Sequence, residues 1–254
     1  MGSNLPADLE KIIQRMRTIA PGKECDNERL NHDLCLAETY LDRHPTTSHS
    51  ILGMIATLQG REEKMRAHFK AARCIDKVSY SIRVNHILAL QGFACFSESA
   101  IEAREASQIY QKNPELLAET VHACVQSGRF HEATHWMDDY DRATATTDTL
   151  PTAKTIRRIS LFLRENRVAD RDLESLQQQA ASLLREEKVL GAALRYQLRE
   201  DEIDRWLSFR FLLPLPEERV VALEWELSQR LAGSRLYDQT CRHVSIGFLA
   251  KEQP

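Results

Sequence analysis

The stretch Gly128-Arg129-Phe130-His131-Glu132-Ala133-Thr134-His135-Trp136-Met137 decides the fold: a turn glycine opens an amphipathic helix whose apolar positions are Phe130, Ala133 and Met137. At intervals of 34 residues towards the N-terminus its columns recur. Gly128, Ala94 and Gly60 occupy the turn; Val121, Ile87 and Gly53 precede it; Met137, Ala103 and Phe69 follow it. A fixed period of this length is the mark of stacked helix pairs, because each pair buries its apolar face only against its neighbours.

Working outward, the same pattern divides the chain into elements. A first helix is predicted over Ala7–Ala20, ended by Pro21-Gly22, and a second over Asn27–Arg43, stopped by His44-Pro45. Three helix–turn–helix pairs follow: Ser48–Gln59 with Glu62–Ile75, Tyr80–Gly92 with Ser97–Gln111, and Pro114–Gln126 with Phe130–Asp141. The Thr/Ala-rich run 143–149 reads as a linker. Two further helices, Thr152–Glu165 and Asp172–Glu186, the latter with Asp172 as N-cap, are expected to cap the last pair.

The final third changes period. Residues 193–199 and 206–213 alternate polar and apolar on either side of a polar turn, which predicts a β-hairpin. Glu217–Leu231 has helical spacing with Val220, Leu223, Leu227 and Leu231 inward, and His243–Leu249 offers a third strand. The expected organisation is residues 1–150 as a helical-repeat domain, 151–187 as capping and connecting helices, and 188–254 as a small α+β module. Helix in place of the hairpin is the competing reading of 189–213. An apolar set, Phe209, Phe211, Ile246 and Phe248, on a short sheet with exposed edges predicts homodimerisation or capture of a partner strand through this module.

Composition bounds the chemistry. The 254 residues are 43% hydrophobic, ample for a buried core, and the 9 Gly and 8 Pro are few enough to favour helix. Net charge is only −3 with both signs mixed throughout, which argues against nucleic acid or anionic lipid as the main ligand. The N-terminal run has no basic segment followed by an apolar one, and no stretch approaches the roughly 18 apolar residues that a membrane span needs. The six cysteines contain no C-x-x-C pair and read as mostly buried thiols. The expected setting is the cytoplasm.

The run Leu52-Gly53, Gly60, Phe69 and Ala72, together with Gly128-Arg129-Phe130-x-Glu132-Ala133, Met137 and Tyr140, resembles the tetratricopeptide repeat over about residues 45–145. Residues 46–79 and 114–147 follow its pattern; residues 80–113 depart from it where Ile87 replaces a small residue and Ala94 a turn glycine. The resemblance implies an α-solenoid that binds peptides or proteins on the concave face formed by the first helix of each pair. Carried over by column, that groove comprises Ser50, Met54 and Thr57, then Val84, Leu88 and Gln91, then Ala118, His122 and Val125, with interhelical core as the competing reading of each position. Of the Lys, Arg and Asn set that grips a C-terminal carboxylate in some of these proteins, only Asn85 has a counterpart. A mostly apolar groove suits an amphipathic helix or an extended hydrophobic segment.

His131-Glu132-Ala133-Thr134-His135 also satisfies H-E-x-x-H, in which two histidines one turn apart bind zinc and the glutamate activates water. The repeat register accounts for the same residues, with Ala133 packing and His131, Glu132 and His135 on the exposed face, and no third ligand is apparent. No glycine-rich phosphate loop, no G-x-S-x-G and no other histidine or cysteine spacing supports a cofactor, metal or nucleophile. Three functional readings follow in order: a non-enzymatic interaction scaffold or adaptor; a client-specific secretion or assembly chaperone or its regulator; and, remotely, a zinc hydrolase through His131, Glu132 and His135.

Overall fold

The computed structural model describes residues 5–18, 26–144, 150–201, 204–233 and 240–251. Among them the chain is mainly helical, with eleven helices and one three-stranded sheet. The helices α1 (Ala7–Thr18) and α2 (Asn27–Thr39) precede three pairs: α3 (Pro45–Leu58) with α4 (Glu62–Ile75), α5 (Tyr80–Gly92) with α6 (Phe96–Ile109), and α7 (Pro114–Gln126) with α8 (Phe130–Thr144). Then come α9 (Ala153–Glu165), α10 (Asp170–Glu186), β1 (Ala193–Glu200), β2 (Arg205–Leu213), α11 (Glu217–Ala232) and β3 (Val244–Ala250). The second helices start at Glu62, Phe96 and Phe130, so the 34-residue spacing of the sequence is a spacing of elements. Pro21-Gly22 and most of the 143–149 linker lie outside the described residues.

Local chemistry accounts for three helix starts, of which those of α3 and α10 differ from the sequence reading and that of α7 agrees with it. Pro45 opens α3 instead of merely ending α2, because a proline in the first helical turn has no N–H to waste. Asn113 caps α7 by accepting from the Leu116 N–H, at 3.0 Å, ahead of Pro114. Asp172 is not the N-cap of α10: Ala169 holds that place, and Asp172 reaches back from the first turn to accept from its N–H.

The turn column explains how each pair closes. Gly60, Ala94 and Gly128 all have positive φ, at 69°, 55° and 84°, so one left-handed turn is built three times and an alanine adopts it in the middle pair. Packing inside the pairs exchanges size between two columns. A Cβ added at Gly53 of α3 would lie 2.7 Å from the Phe69 ring of α4. In the next pair the bulk sits on the first helix, where Ile87 shares a buried cluster with Ala103 of α6. The departure of residues 80–113 from the repeat pattern is thus a volume swap across one interface.

The pairs pack in succession: α3, α5 and α7 are neighbours, α6 contacts α7, and α1 and α2 lie against α3. At the junction of α4, α5 and α6 the buried Glu102 carboxylate accepts from Arg73 at 2.5 Å and from Arg83 at 2.9 Å, with His86 Nδ1 3.7 Å away. Burial opposes ionisation of Glu102, but these cations outweigh it and hold its carboxyl below the ordinary range.

The segment after residue 150 does more than cap the last pair. Helix α9 does lie on α8, but α10 and the residues after it run back along the turns. A Cβ at Gly128 would meet the backbone of Leu173 and Glu174 at 3.0–3.1 Å; Gln178 donates to Ser97 at 3.1 Å; the Gly191 N–H donates to Gly92 O at 3.1 Å; and Leu190 lies over Gly60.

The predicted hairpin is present, β1 and β2 pairing antiparallel with Tyr196 opposite Phe209, and β2 and β3 pair parallel through α11. One face of this sheet packs on the helix pairs: Phe211 stacks on Phe96 of α6 at 5.5 Å, and Phe130 of α8 meets Tyr196 and Phe209 edge to face. A single hydrophobic cluster joins Val121, Phe130, Ile159, Leu173, Phe209 and Leu223. The set Phe209, Phe211, Ile246 and Phe248 is therefore interior, and the expectation that it drives dimerisation is corrected: burial inside the chain leaves it nothing to offer a second copy. On β3 the Phe248 N–H donates to Glu224 of α11 at 2.6 Å. Among the described residues no helix is long and apolar enough to cross a membrane. Of the thiols, Cys95 and Cys124 are buried, the former pushed up to about 11 by burial, whereas Cys35 and Cys74 are exposed, contrary to expectation.

Two stability measurements follow. In a double-mutant cycle read by denaturant unfolding, Gly53→Ala costs about 1–3 kcal/mol in the native background and distinctly less with Phe69→Leu, because the clash is with that ring; additivity would refute the swap. A carboxylate held below its ordinary range contributes stability that is present above the unfolded value, about pH 4.3, and is lost as pH falls through the folded value. Glu102→Gln accordingly lowers stability at pH 7 and flattens the loss on acidification below that pH.

Candidate functional site

The ten groove positions carried over from the repeat pattern separate into two groups. Ser50, Thr57, Asn85 and Val125 are buried. Asn85 of α5 donates to Ser50 Oγ of α3 at 3.1 Å, Thr57 donates back to Gly53 O at 2.9 Å, and Val125 joins the main cluster. Asn85 thus ties two neighbouring helices together and is buried out of reach of a ligand carboxylate. These four are corrected from groove to interior.

The other six, Met54, Val84, Leu88, Gln91, Ala118 and His122, retain solvent contact. Met54, Leu88 and His122 form one column at the 34-residue period on the adjacent helices α3, α5 and α7. Exposure rises along it: Met54 is half-buried, Leu88 is 40% exposed, and the His122 side chain is 55% exposed. Polar groups border the column on one side. Gln91 donates to Glu119 at 2.6 Å, and the same carboxylate lies 3.7 Å from His122 Nδ1. Glu119 was not among the groove positions; it occupies the column of the buried Ile51 and Asn85, and nothing in the one-dimensional pattern marks it as the member that turns outward.

The H-E-x-x-H pentad is arranged for structure. His131 is half-buried, not on the exposed face as the register suggested. Its Nε2–H donates to Val168 O at 3.2 Å, and because a carbonyl only accepts, Nδ1 is left as acceptor for the Ser160 hydroxyl at 2.9 Å. Nε2 carries the proton, and the one lone pair of the ring, on Nδ1, is engaged by Ser160. Glu132 accepts from Arg104 and Arg129, both at 3.1 Å, while His135 alone is exposed. The backbone N–H groups of His131 and Glu132 are capped by the Asp170 carboxylate at 3.0 and 2.9 Å. Thus the pentad welds the start of α8 to the loop between α9 and α10. The acidic run Asp138, Asp139 and Asp141 is likewise matched by Arg157 and Arg142.

A second surface was legible only in part. On the sheet face opposite the core, Arg195, Gln197 and Arg199 of β1 stand beside Trp206, Ser208 and Arg210 of β2, around a cavity of about 510 Å³. Arg210 is paired to Glu224 at 2.9 Å above Gly247, whose missing side chain leaves room for the pair. The period-two alternation of 193–199 signalled this face, but which side would be covered depended on where the sheet docks.

Comparison of the chain with protein-family models, with curated proteins and with solved structures finds no match.

His131→Ala is expected to lower stability by about 1–2 kcal/mol, the scale of losing two hydrogen bonds in a packed site, while neither added zinc nor a chelator shifts the melting temperature of the native protein. A zinc-dependent rise in melting temperature that His131→Ala abolishes would overturn the assignment.

Proposed function

We propose that residues 45–145 form a tetratricopeptide-like array and that the protein is a non-enzymatic interaction scaffold, gripping a hydrophobic segment of a partner protein on the outward face of α3, α5 and α7. One observation carries the reading: Leu88, at the centre of the middle pair, keeps a large apolar side chain in solvent and in column with Met54 and His122. Helices α6 and α8 are packed by α9 and α10, and the turns lie against residues 173–191, whereas Leu88 and His122 stay exposed. Helices set side by side with a one-residue column of anchors match the way a groove reads a segment at helical or extended spacing. The rim of Gln91, Glu119 and His122 supplies hydrogen bonds that fix the register, and the apolar column supplies the affinity. The setting that fits a chain with exposed thiols at Cys35 and Cys74 is the reducing cytoplasm.

Leu88→Glu places a charge in the centre of this face without disturbing a buried contact. The variant, shown by circular dichroism to be folded, is expected to lose the partners that the native protein retains in affinity capture with mass spectrometry, with at least a tenfold loss of affinity for a partner so identified. Identical partners and affinities on both proteins would move function off this face.

A further inference from the structure

We propose that the cleft between α4 and the start of α5 is a binding pocket for a small soluble molecule carrying two or more phosphoryl groups. In a chain of net charge −3, this cavity of about 450 Å³ is lined by Arg66, Lys70, Arg73, Lys77, Arg83 and His86, with Cys74 between them and no acidic side chain in its wall. The carboxylates that balance the arginines sit behind or beside the wall: Glu102 receives Arg73 and Arg83, Glu105 lies 3.9 Å from Arg73, and Glu62 and Glu98 receive Arg66. Lys70 and Lys77 have no acidic partner among the described residues. Arg83 is 7% exposed; one terminal nitrogen donates to Glu102 at 2.9 Å and the other to Lys77 O at 3.1 Å, while its Nε has no hydrogen-bond partner among the described residues.

Basic residues at a helix C-terminus often serve only to offset its dipole, and Lys70 and Arg73 fall in the last turns of α4. That role does not account for Arg83 and His86, which come from the next helix and converge on the same cavity. The start of α5 lies alongside with an N-cap, Ser79, that makes no side-chain cap bond, and it adds positive potential. Size selects the ligand. From Lys70 to Lys77 the cations span about 10 Å along α4 and its exit, more than one phosphate group can touch, and the volume falls in the range of small-molecule sites. Arginine forks and lysine ammonium groups together favour phosphoryl oxygens. This inference concerns a different face from the proposed partner surface and does not rest on it.

Isothermal titration of the full chain with tripolyphosphate at low ionic strength tests it. Saturable binding of one molecule per chain is expected, weakened at least tenfold by Lys70→Ala with Lys77→Ala, and unchanged within twofold by Arg195→Ala with Arg199→Ala on the sheet face. Both pairs are exposed, so loss of fold is not at issue, and circular dichroism checks it. Orthophosphate and citrate are expected to bind at least tenfold more weakly. The proposal is overturned by absence of saturable binding, by equal loss in both variant pairs, by no loss in the lysine pair, or by citrate binding as well as tripolyphosphate. Flotation of the native protein with phosphatidylcholine vesicles containing a phosphatidylinositol bisphosphate, abolished in the lysine pair, would overturn the soluble ligand in favour of a membrane headgroup.

Discussion

The contact on which the rest of the structure depends is the seam between the helix-pair turns and the segment from Leu173 to Gly191. That segment touches the third pair at Gly128, the second at Ser97 and Gly92, and the first at Gly60. It is a non-local constraint laid across units that otherwise contact only their neighbours. Where a stack of repeats is held pair to pair, its stability is a sum of nearest-neighbour terms; a seam that spans three pairs couples them. At Gly128 it also brings backbone close, Leu173 and Glu174 lying 3.0–3.1 Å from where a Cβ would be, whereas at Gly60 its contact is the Leu190 side chain.

The seam also decides which surfaces remain available. With α10 along the turns and the sheet on Phe96 and Phe130, the C-terminal third becomes part of the same core as the later helix pairs. Its aromatic residues are consumed in that docking. Met54, Leu88 and His122 on α3, α5 and α7 keep their solvent contact, and two cationic surfaces stand on separate elements, one on the outer sheet face and one between α4 and α5.

Polar groups at the interfaces act mainly as joints. Glu102 holds three helices with two guanidinium groups, Asp170 closes the start of α8, and His131 spends both ring nitrogens on Ser160 and Val168. Each satisfies buried donors that would otherwise cost about 1–3 kcal/mol. The pentad shows the limit of a motif without its surroundings: the two histidines have the spacing of a zinc pair, yet the lone pair of His131 is engaged by Ser160.

What the sequence by itself determined is the local order. The 34-residue period, the turn column and the size of residues at Gly53, Phe69, Ile87 and Ala103 dictated which segments are helical and how the pairs are spaced, and the alternation of 193–199 and 206–213 dictated strands, because these depend on spacing along the chain. Only the tertiary structure decided that Ser50, Thr57, Asn85 and Val125 lie inside while Leu88 and Glu119 lie outside, since columns of one repeat see different neighbours. It alone decided that the sheet's apolar face is covered by the chain's own helices, and that six basic groups from α4, α5 and the turn between them line one cleft. Those outcomes are set by contacts between residues far apart in sequence, and no periodicity encodes which two distant faces will meet.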